Sequence, residues 1–123
     1  MSVFVINKRF DGNYKFVFSN RKGKIIFTSI SCKRKSDCQL IIEALQNNYD
    51  MFVITKTKTP RGKFFFRVSK GGLVLASSRR YASDYSLQKG IDYANRWIEQ
   101  SEMLDLPEED DVFSTPAEDI FTS

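Results

Sequence analysis

The chain carries the same hydrophobic and turn pattern twice. Phe4, Val5 and Ile6 open a stretch of about forty-five residues, and the pattern begins again at Phe52, Val53 and Ile54. The matching positions are mostly glycine, serine and apolar residues: Gly12, Tyr14, Phe16, Phe18, Ser19, Gly23, Ile25, Ile26, Ser29, Cys38, Gln39 and Ile42 in repeat one, and Gly62, Phe64, Phe66, Val68, Ser69, Gly72, Val74, Leu75, Ser78, Leu87, Gln88 and Ile91 in repeat two. Residues of these types carry backbone geometry and core packing, so the duplication predicts a repeated scaffold rather than repeated chemistry.

Each repeat opens with a predicted hairpin and a third strand. In repeat one, an Asp-Gly turn signal at residues 11–12 separates strands over residues 4–8 and 14–19, and a third strand follows over residues 24–29. In repeat two, the last two strands are predicted over residues 63–68 and 73–77. Side chains alternate along a strand, so the aromatic residues of the second strand, Tyr14, Phe16 and Phe18, share one core face.

A helical period follows the strands in each repeat. Cys38, Ile41, Ile42 and Leu45 predict a helix that begins after an N-cap at Ser36 or Asp37 and stops at Asn47 and Asn48. The second helix begins at a Ser83 cap, runs through Leu87, Ile91, Ala94 and Ile98, and can be extended to Met103. Gly90 lies inside this helix at a cost of about 1 kcal/mol relative to alanine, which indicates a close approach between the helix and the sheet.

Size and composition favour one domain without a metal or a cofactor. A chain of 123 residues with 11 Phe, 5 Tyr and 1 Trp can build a single core. Cys32 and Cys38 are the two cysteines and the chain has no histidine, so Cys/His zinc patterns are absent. A local disulfide stays open beside the interpretation we favour, in which Cys38 is a small apolar helix residue where repeat two has Leu87.

Repeat two resembles the tandem module of the YegP-like proteins, small bacterial and archaeal proteins without a known function. The residues that carry the resemblance are Gly62, Lys63, Phe64, Phe65, Phe66, Gly72, Leu73, Val74, Leu75, Ser78, Tyr81, Ser83, Gly90 and Ile91. It spans residues 3–98, although repeat one has Cys32 in place of Tyr81, and Ile41 and Ile42 in place of Gly90 and Ile91. The resemblance implies an α+β fold in which two pseudo-symmetric β-β-β-α(-β) repeats form an antiparallel sheet with two helices on one face. It further implies that the strand after each helix is exchanged about a pseudo-two-fold axis, with residues 51–56 as the shared crossing strand, and it lends no catalytic residues.

We therefore expect a single domain over residues 1–103, built from repeats at about 3–49 and 51–103, followed by an acidic tail over residues 104–123. The short apolar run over residues 3–6 is far from a signal peptide or a membrane span, which predicts a cytoplasmic protein that does not contact membranes. The internal pseudo-two-fold symmetry favours a monomer.

Charge separates the two parts of the chain. All 19 Lys and Arg lie between residues 8 and 96 and face six acids in residues 1–98, a net charge of +13. Residues 99–123 carry nine acids and no base. Basic residues recur in the loops before each third strand and before each helix: Arg21, Lys22, Lys24, Lys33, Arg34, Lys35, Lys70, Arg79 and Arg80. These are our candidate residues for binding anions or nucleic acid, against the interpretation that they keep the surface solvated.

Two further features bear on function. Phe65 points away from Phe64 and Phe66 and lies between Lys63 and Arg67, an arrangement that could stack a nucleic-acid base, although burial under a neighbouring strand or a second molecule explains it more simply. In the tail, Ile120 and Phe121 interrupt acidic residues and are candidates for docking, and residues 112–114 are an alternative last strand.

The sequence contains no catalytic motif. Without histidine the commonest general base near neutral pH is missing, and neither a Walker loop nor a nucleophile elbow is present. We therefore predict no catalytic residue and favour a non-catalytic interaction module with an unidentified partner. The alternative is a nucleic-acid-binding protein that uses its basic loops and is regulated by its acidic tail.

Overall fold

The computed structural model of the protein describes residues 2–105. Its elements are, in chain order, β1 (Ser2–Lys8), β2 (Tyr14–Asn20), β3 (Ile25–Ser29), α1 (Lys35–Asn47), a 3-10 turn (Tyr49–Met51), β4 (Val53–Lys58), β5 (Phe64–Lys70), β6 (Leu73–Ser78), α2 (Asp84–Trp97), a second 3-10 turn (Ile98–Gln100) and β7 (Glu102–Asp105). The predicted α+β class, with three strands and a helix in each repeat, is confirmed.

All seven strands form one sheet in the order β4-β5-β6-β3-β2-β1-β7. The two meanders meet where β3 and β6 pair antiparallel, with Thr28 opposite Ser77. These are corresponding residues of the two repeats, so the pseudo-two-fold axis passes between them. At the far edge, β7 lies parallel to β1 and pairs Met103 with Phe4. The sheet is therefore mixed, and the expectation of a wholly antiparallel sheet is wrong at this edge.

The strand after each helix crosses to the other half of the sheet. β4 follows α1 and pairs with β5 of repeat two, whereas β7 follows α2 and pairs with β1 of repeat one. The exchange implied by the resemblance is therefore found for β7, whereas β4 takes the place of β1 in repeat two, pairs with β5 as β1 pairs with β2, and begins at Val53 rather than Met51. The reason is that Tyr49–Met51 close the chain in a 3-10 turn before it extends.

Both helices cover the same face of the sheet. Phe4, Phe16, Phe18, Phe27 and Phe66 are fully buried in one core cluster, with the Phe4 and Phe18 rings 4.9 Å apart. Burying a side chain of this size contributes about 1.5–3 kcal/mol, so the alternating aromatic residues of β1 and β2 account for much of the stability of this half. Both cysteines are free and buried, and Cys38 fills the helix position predicted from Leu87.

Matched serines brace the two halves in the same way. The Ser29 hydroxyl accepts a hydrogen bond from the Phe16 amide at 2.9 Å and donates to the Ile30 carbonyl. The Ser78 hydroxyl accepts from the Phe66 amide at 2.9 Å and donates to the Arg79 carbonyl. Because these amides lie at the end of a strand pair, the serine satisfies a donor that the ladder leaves unpaired.

The helix boundaries correct two predictions. α1 begins at Lys35 and its N-cap, Arg34, makes no side-chain capping bond, so the expected Ser36 or Asp37 cap is wrong. The predicted Ser83 cap is confirmed, since its hydroxyl accepts from the Ser86 amide at 3.1 Å. α2 ends at Trp97 instead of extending to Met103. The chain then turns so that Met103 can enter the sheet, which therefore continues past the predicted boundary of the domain at residue 103.

Candidate anion-binding cleft

The segment between β6 and α2 is held firmly against both repeats. The Arg79 amide donates to the Ile26 carbonyl of repeat one at 3.2 Å, and Tyr81 exchanges two backbone hydrogen bonds with Phe64, at 2.7 and 2.8 Å. This pairing fixes the backbone on either side of Arg80. The two arginines are therefore presented from a rigid connection rather than from a loose loop.

A cleft of about 550 Å³ lies where this segment, the first turns of α2 and the β2–β3 turn come together. Its lining comes from both repeats: Asn20, Lys24, Ile26, Lys63, Arg79, Arg80, Tyr81, Ala82, Ser86, Lys89, Gly90 and Tyr93. The Tyr81 side chain forms the floor of the cleft, and Gly90 leaves space for it. The Tyr81 side chain occupies the space that a β-carbon at Gly90 would need. The predicted close approach at Gly90 is therefore made by Tyr81 and not by the sheet backbone.

Among residues 2–105, five cations and no carboxylate line the cleft. Lys24, Lys63, Arg79, Arg80 and Lys89 come from four separate segments, and all five side chains are exposed. Arg79 lies 5.4 Å from the centre of the Tyr81 ring, and the Lys89 ammonium lies 4.7 Å from that of Tyr85. Cation–π contacts hold the charged groups in place without neutralising them, so the cleft keeps its positive potential.

The Tyr81 hydroxyl keeps its proton near pH 7. Burial raises the pKa of Tyr81, and the nearby Arg79 opposes this only in part. The Tyr93 hydroxyl is hydrogen-bonded to the Ser2 hydroxyl at 2.6 Å, which ties α2 to the first strand. In the part of the chain that the structure describes, an anion in the cleft therefore meets hydroxyl groups and cations and no carboxylate.

The corresponding positions of repeat one have different chemistry. Where repeat two has Lys63, Arg79, Arg80 and Lys89, repeat one has Asn13, Ile30, Ser31 and Leu40. Asp37 replaces Ser86, Leu73 replaces Lys24, and the cations at these positions are Lys33 and Lys70. Repeat one also has Ile41 at the position of Gly90, the glycine whose missing side chain leaves space for Tyr81. The duplicated scaffold therefore carries five cations at these positions on one side of its axis and two on the other.

The structure brings three of the predicted anion-binding residues together and leaves the others apart. Lys24, Arg79 and Arg80 line the cleft, whereas Lys33, Arg34 and Lys35 lie at the start of α1, and Arg21 and Lys22 lie in the β2–β3 turn outside the lining. Lys70 stands over the Phe52 ring at 5.7 Å. Lys63 and Lys89 were missed by the sequence reasoning, although both are positions where repeat two is basic and repeat one is not.

Phe65 lies beside two arginines. Its ring is half-buried, and the guanidinium groups of Arg67 and Arg80 lie 5.2 and 5.6 Å from its centre. Both the stacking of a base on this ring and its burial by a second molecule stay predictions. The candidate docking residues Ile120 and Phe121, and the alternative strand over residues 112–114, lie outside the described residues.

The part of the chain that the structure describes contains no cluster of three or more Cys, Asp or Glu residues able to hold a metal ion. Nor does any helix in residues 2–105 have the length and apolar character needed to cross a membrane.

Comparison with known proteins identifies relatives of this chain. No established family profile matches it. UPF0339 protein ACIAD0721 from Acinetobacter baylyi is 30% identical over 95 residues, which cover 72% of this chain and 82% of that protein. This chain belongs to the UPF0339 family. The predicted resemblance to YegP-like proteins is thereby confirmed.

Solved structures agree with the fold of this UPF0339 protein. The solution structures of yegP from E. coli, described as a protein of unknown function, and of UPF0339 protein SO3888 from Shewanella oneidensis have TM-scores of 0.75 and 0.76. They are 23% and 22% identical to this chain, and both alignments cover 85% of it and 91% of the solved chain. At this level of identity the likeness shows the fold, and the site must be interpreted from this chain alone.

Proposed function

We propose that this UPF0339 protein is a non-catalytic binding module whose ligand is an anion carrying phosphate groups, held in the basic cleft. The observation that carries the proposal is the asymmetry of the duplication. Of the described residues, five cations and no carboxylate line the cleft in repeat two, while the matching positions of repeat one have two lysines and Asp37. General solubility does not require charge to be concentrated at one of two equivalent places.

The groups in the cleft favour binding over catalysis. Its titratable side chains are lysine, arginine and tyrosine, and the raised pKa of Tyr81 makes that residue a poor base near pH 7. Efficient acid–base catalysis needs a group whose pKa lies close to the working pH. The same donors suit a phosphate group, because ammonium, guanidinium and hydroxyl groups can all donate to its oxygens.

The expected affinity is modest. An exposed ion pair contributes about 0.2–1 kcal/mol, so five contacts give a few kcal/mol, and a single phosphate should bind with a dissociation constant near or above 1 mM. A ligand that carries several phosphates in a row should bind more tightly, since it meets more of the cations at once. Inorganic tripolyphosphate is therefore a better first probe than orthophosphate.

Titration calorimetry with tripolyphosphate at about 20 mM salt tests the proposal. Arg79→Gln combined with Arg80→Gln should weaken binding by at least tenfold. The matched control is Lys33→Gln with Arg34→Gln, which removes the same charge from the approach to α1 and should change affinity less than about twofold. Equal losses in the two variants, or no binding by the unmodified protein, would refute the proposal.

We propose, as a second element, that the acidic C-terminal residues compete with the ligand. Residues 106–123 carry six acids and no base and are joined to a strongly basic body. Truncation after Pro107 leaves β7 intact, and we expect it to tighten tripolyphosphate binding several-fold at low salt and less at 200 mM salt. Unchanged affinity on truncation would remove this regulatory element and leave the cleft proposal standing.

A further inference from the structure

The basic cleft continues into a second depression on the same edge of the molecule. This second depression has a volume of about 490 Å³ and is lined by Thr59, Pro60, Arg61, Lys63 and Arg80. Lys63 and Arg80 also line the first cleft, so the two spaces share a wall made of cations. A ligand that leaves the first cleft across Lys63 and Arg80 therefore meets Arg61 next. No carboxylate from residues 2–105 lines either depression.

An aromatic ring stands beside this shared wall. The Arg80 guanidinium lies 5.6 Å from the centre of the Phe65 ring, and Arg67 approaches the same ring at 5.2 Å. Phe65 is half-buried, and it points away from the core occupied by Phe66. A partly exposed aromatic ring next to guanidinium groups is the kind of surface on which a nucleic-acid base stacks.

We infer that the ligand is single-stranded nucleic acid, whose backbone runs from the cleft across Lys63 and Arg80 into the second depression while one base stacks on Phe65. This inference rests on the proposed function and narrows its ligand class. A row of phosphates joined through the two spaces fits six lining cations, and the adjacent ring provides for a base. The cations line concave spaces, whereas readers of duplex grooves use a protruding helix or ribbon.

The chain length of the ligand provides the first test. With fluorescently labelled oligodeoxythymidines, anisotropy should show an affinity at least tenfold higher for six nucleotides than for two, and a plateau beyond that length. A plot of the logarithm of the association constant against the logarithm of the salt concentration should have a slope of about −3 to −4, because each phosphate contacted contributes about −0.7.

Arg61→Gln with Arg67→Gln should weaken hexanucleotide binding at least fivefold and leave tripolyphosphate binding unchanged. The matched control, Arg21→Gln with Lys22→Gln, should change neither.

The base contact provides the second test. Stacking on an aromatic residue is worth 1–3 kcal/mol, which corresponds to about 5- to 150-fold in affinity. Phe65→Leu should therefore lower the affinity for the hexanucleotide to that of an abasic oligomer of equal length, and should leave the affinity for the abasic oligomer unchanged. Equal losses for both oligomers would overturn the stacking role.

The outcomes separate this inference from the proposed function. Tripolyphosphate binding with no gain from dinucleotide to hexanucleotide overturns the nucleic-acid inference and leaves the anion cleft intact. The nucleic-acid inference is also overturned if long inorganic polyphosphate binds as tightly as the hexanucleotide and binds equally well to the Phe65→Leu protein. The ligand would then be a simple polyanion. A duplex that binds as tightly as the single strand overturns the preference for single strands. If tripolyphosphate and the oligonucleotides all fail to bind, both proposals fall.

Discussion

The Tyr81 side chain occupies the space that a β-carbon at Gly90 would need, with its Cζ atom 2.8 Å from that position. In repeat one the equivalent pair is Cys32 and Ile41. The large and small members are therefore exchanged between the repeats: an aromatic residue faces glycine on one side of the axis, and the corresponding positions on the other hold a small residue and isoleucine. This exchange shapes the floor of the cleft in repeat two alone.

The first prediction concerns Gly90. Replacing a helical glycine with alanine ordinarily stabilises a helix by about 1 kcal/mol. Gly90→Ala should instead destabilise the protein by about 1–3 kcal/mol, because the new methyl group meets Tyr81 and forces it to move. Urea unfolding measures the difference. In a Tyr81→Ala background the same substitution should be neutral or stabilising, and a loss of equal size in both backgrounds would show that Tyr81 is not the obstacle.

The matched serines give a second prediction. Ser29 is only 4% exposed and satisfies the Phe16 amide, so Ser29→Ala should cost about 1–3 kcal/mol in unfolding free energy. Ser78→Ala should cost less, because Ser78 is more exposed and water can reach the Phe66 amide. Ser77→Ala on the neighbouring position is the control and should stay within about 0.5 kcal/mol. A loss for Ser77→Ala as large as for Ser29→Ala would contradict this assignment.

The raised pKa of the buried Cys38 thiol predicts that the folded protein loses stability at alkaline pH. Burial, aided by the neighbouring Cys32, raises the pKa of the Cys38 thiol to about 12. Above pH 9 the unfolded chain loses this proton while the folded protein keeps it, so stability is full below pH 9 and falls as pH rises towards 12. The decline contributes at most about 1.4 kcal/mol per pH unit.

Urea midpoints for the unmodified protein and for Cys38→Ala, taken at pH 8 and pH 10, measure this contribution. The alanine variant should be less stable at pH 8, because it leaves a cavity, and it should lose less stability between the two pH values. Identical pH dependence in the two proteins would mean that Cys38 does not retain its proton in the fold.

The crowding of cations in the cleft predicts a cost to stability. Lys24 and Arg79 lie among like charges, and the described part of the chain brings no carboxylate to the cleft. Lys24→Gln with Arg79→Gln should therefore raise the unfolding free energy by a few tenths of a kcal/mol at low salt. The gain should vanish at 500 mM sodium chloride. Lys22→Gln, in the same turn as Lys24, should leave the thermal midpoint unchanged. If Lys24→Gln with Arg79→Gln instead destabilises the protein at low salt, repulsion among the cations of the cleft does not lower its stability.

The repeated framework was predictable because hydrophobic period and turn residues determine it locally. The three strands of each repeat and the Ser83 cap followed from patterns that need no knowledge of the fold. The alignment of the first strands was less exact: pairing Phe4 with Phe52 is two residues out of register, since the ladders place Phe4 opposite Phe18 and Ile54 opposite Val68. A shift of two residues keeps every side chain on its face, so alternation alone does not detect it.

The remaining features depend on contacts between distant parts of the chain. β7 has four residues and an acidic composition, and it extends because β1 offers a partner edge. Lys63, Arg79 and Lys89 come together through the fold of repeat two, and Lys24 of repeat one joins them only when the two repeats pack. A comparison of the repeats for positions that changed from neutral to basic would have found both lysines, because Asn13 and Leu40 are their counterparts.

The most direct test of the anion cleft is an amide chemical-shift titration of the full chain with tripolyphosphate. We expect saturable shifts at Tyr81, Ser86 and Gly90, and none of comparable size at their repeat-one counterparts Cys32, Asp37 and Ile41. Shifts of equal size in both repeats would show that the charge acts diffusely. If tripolyphosphate produces no shifts at Tyr81, Ser86 and Gly90 at low salt, the cleft is not a binding site.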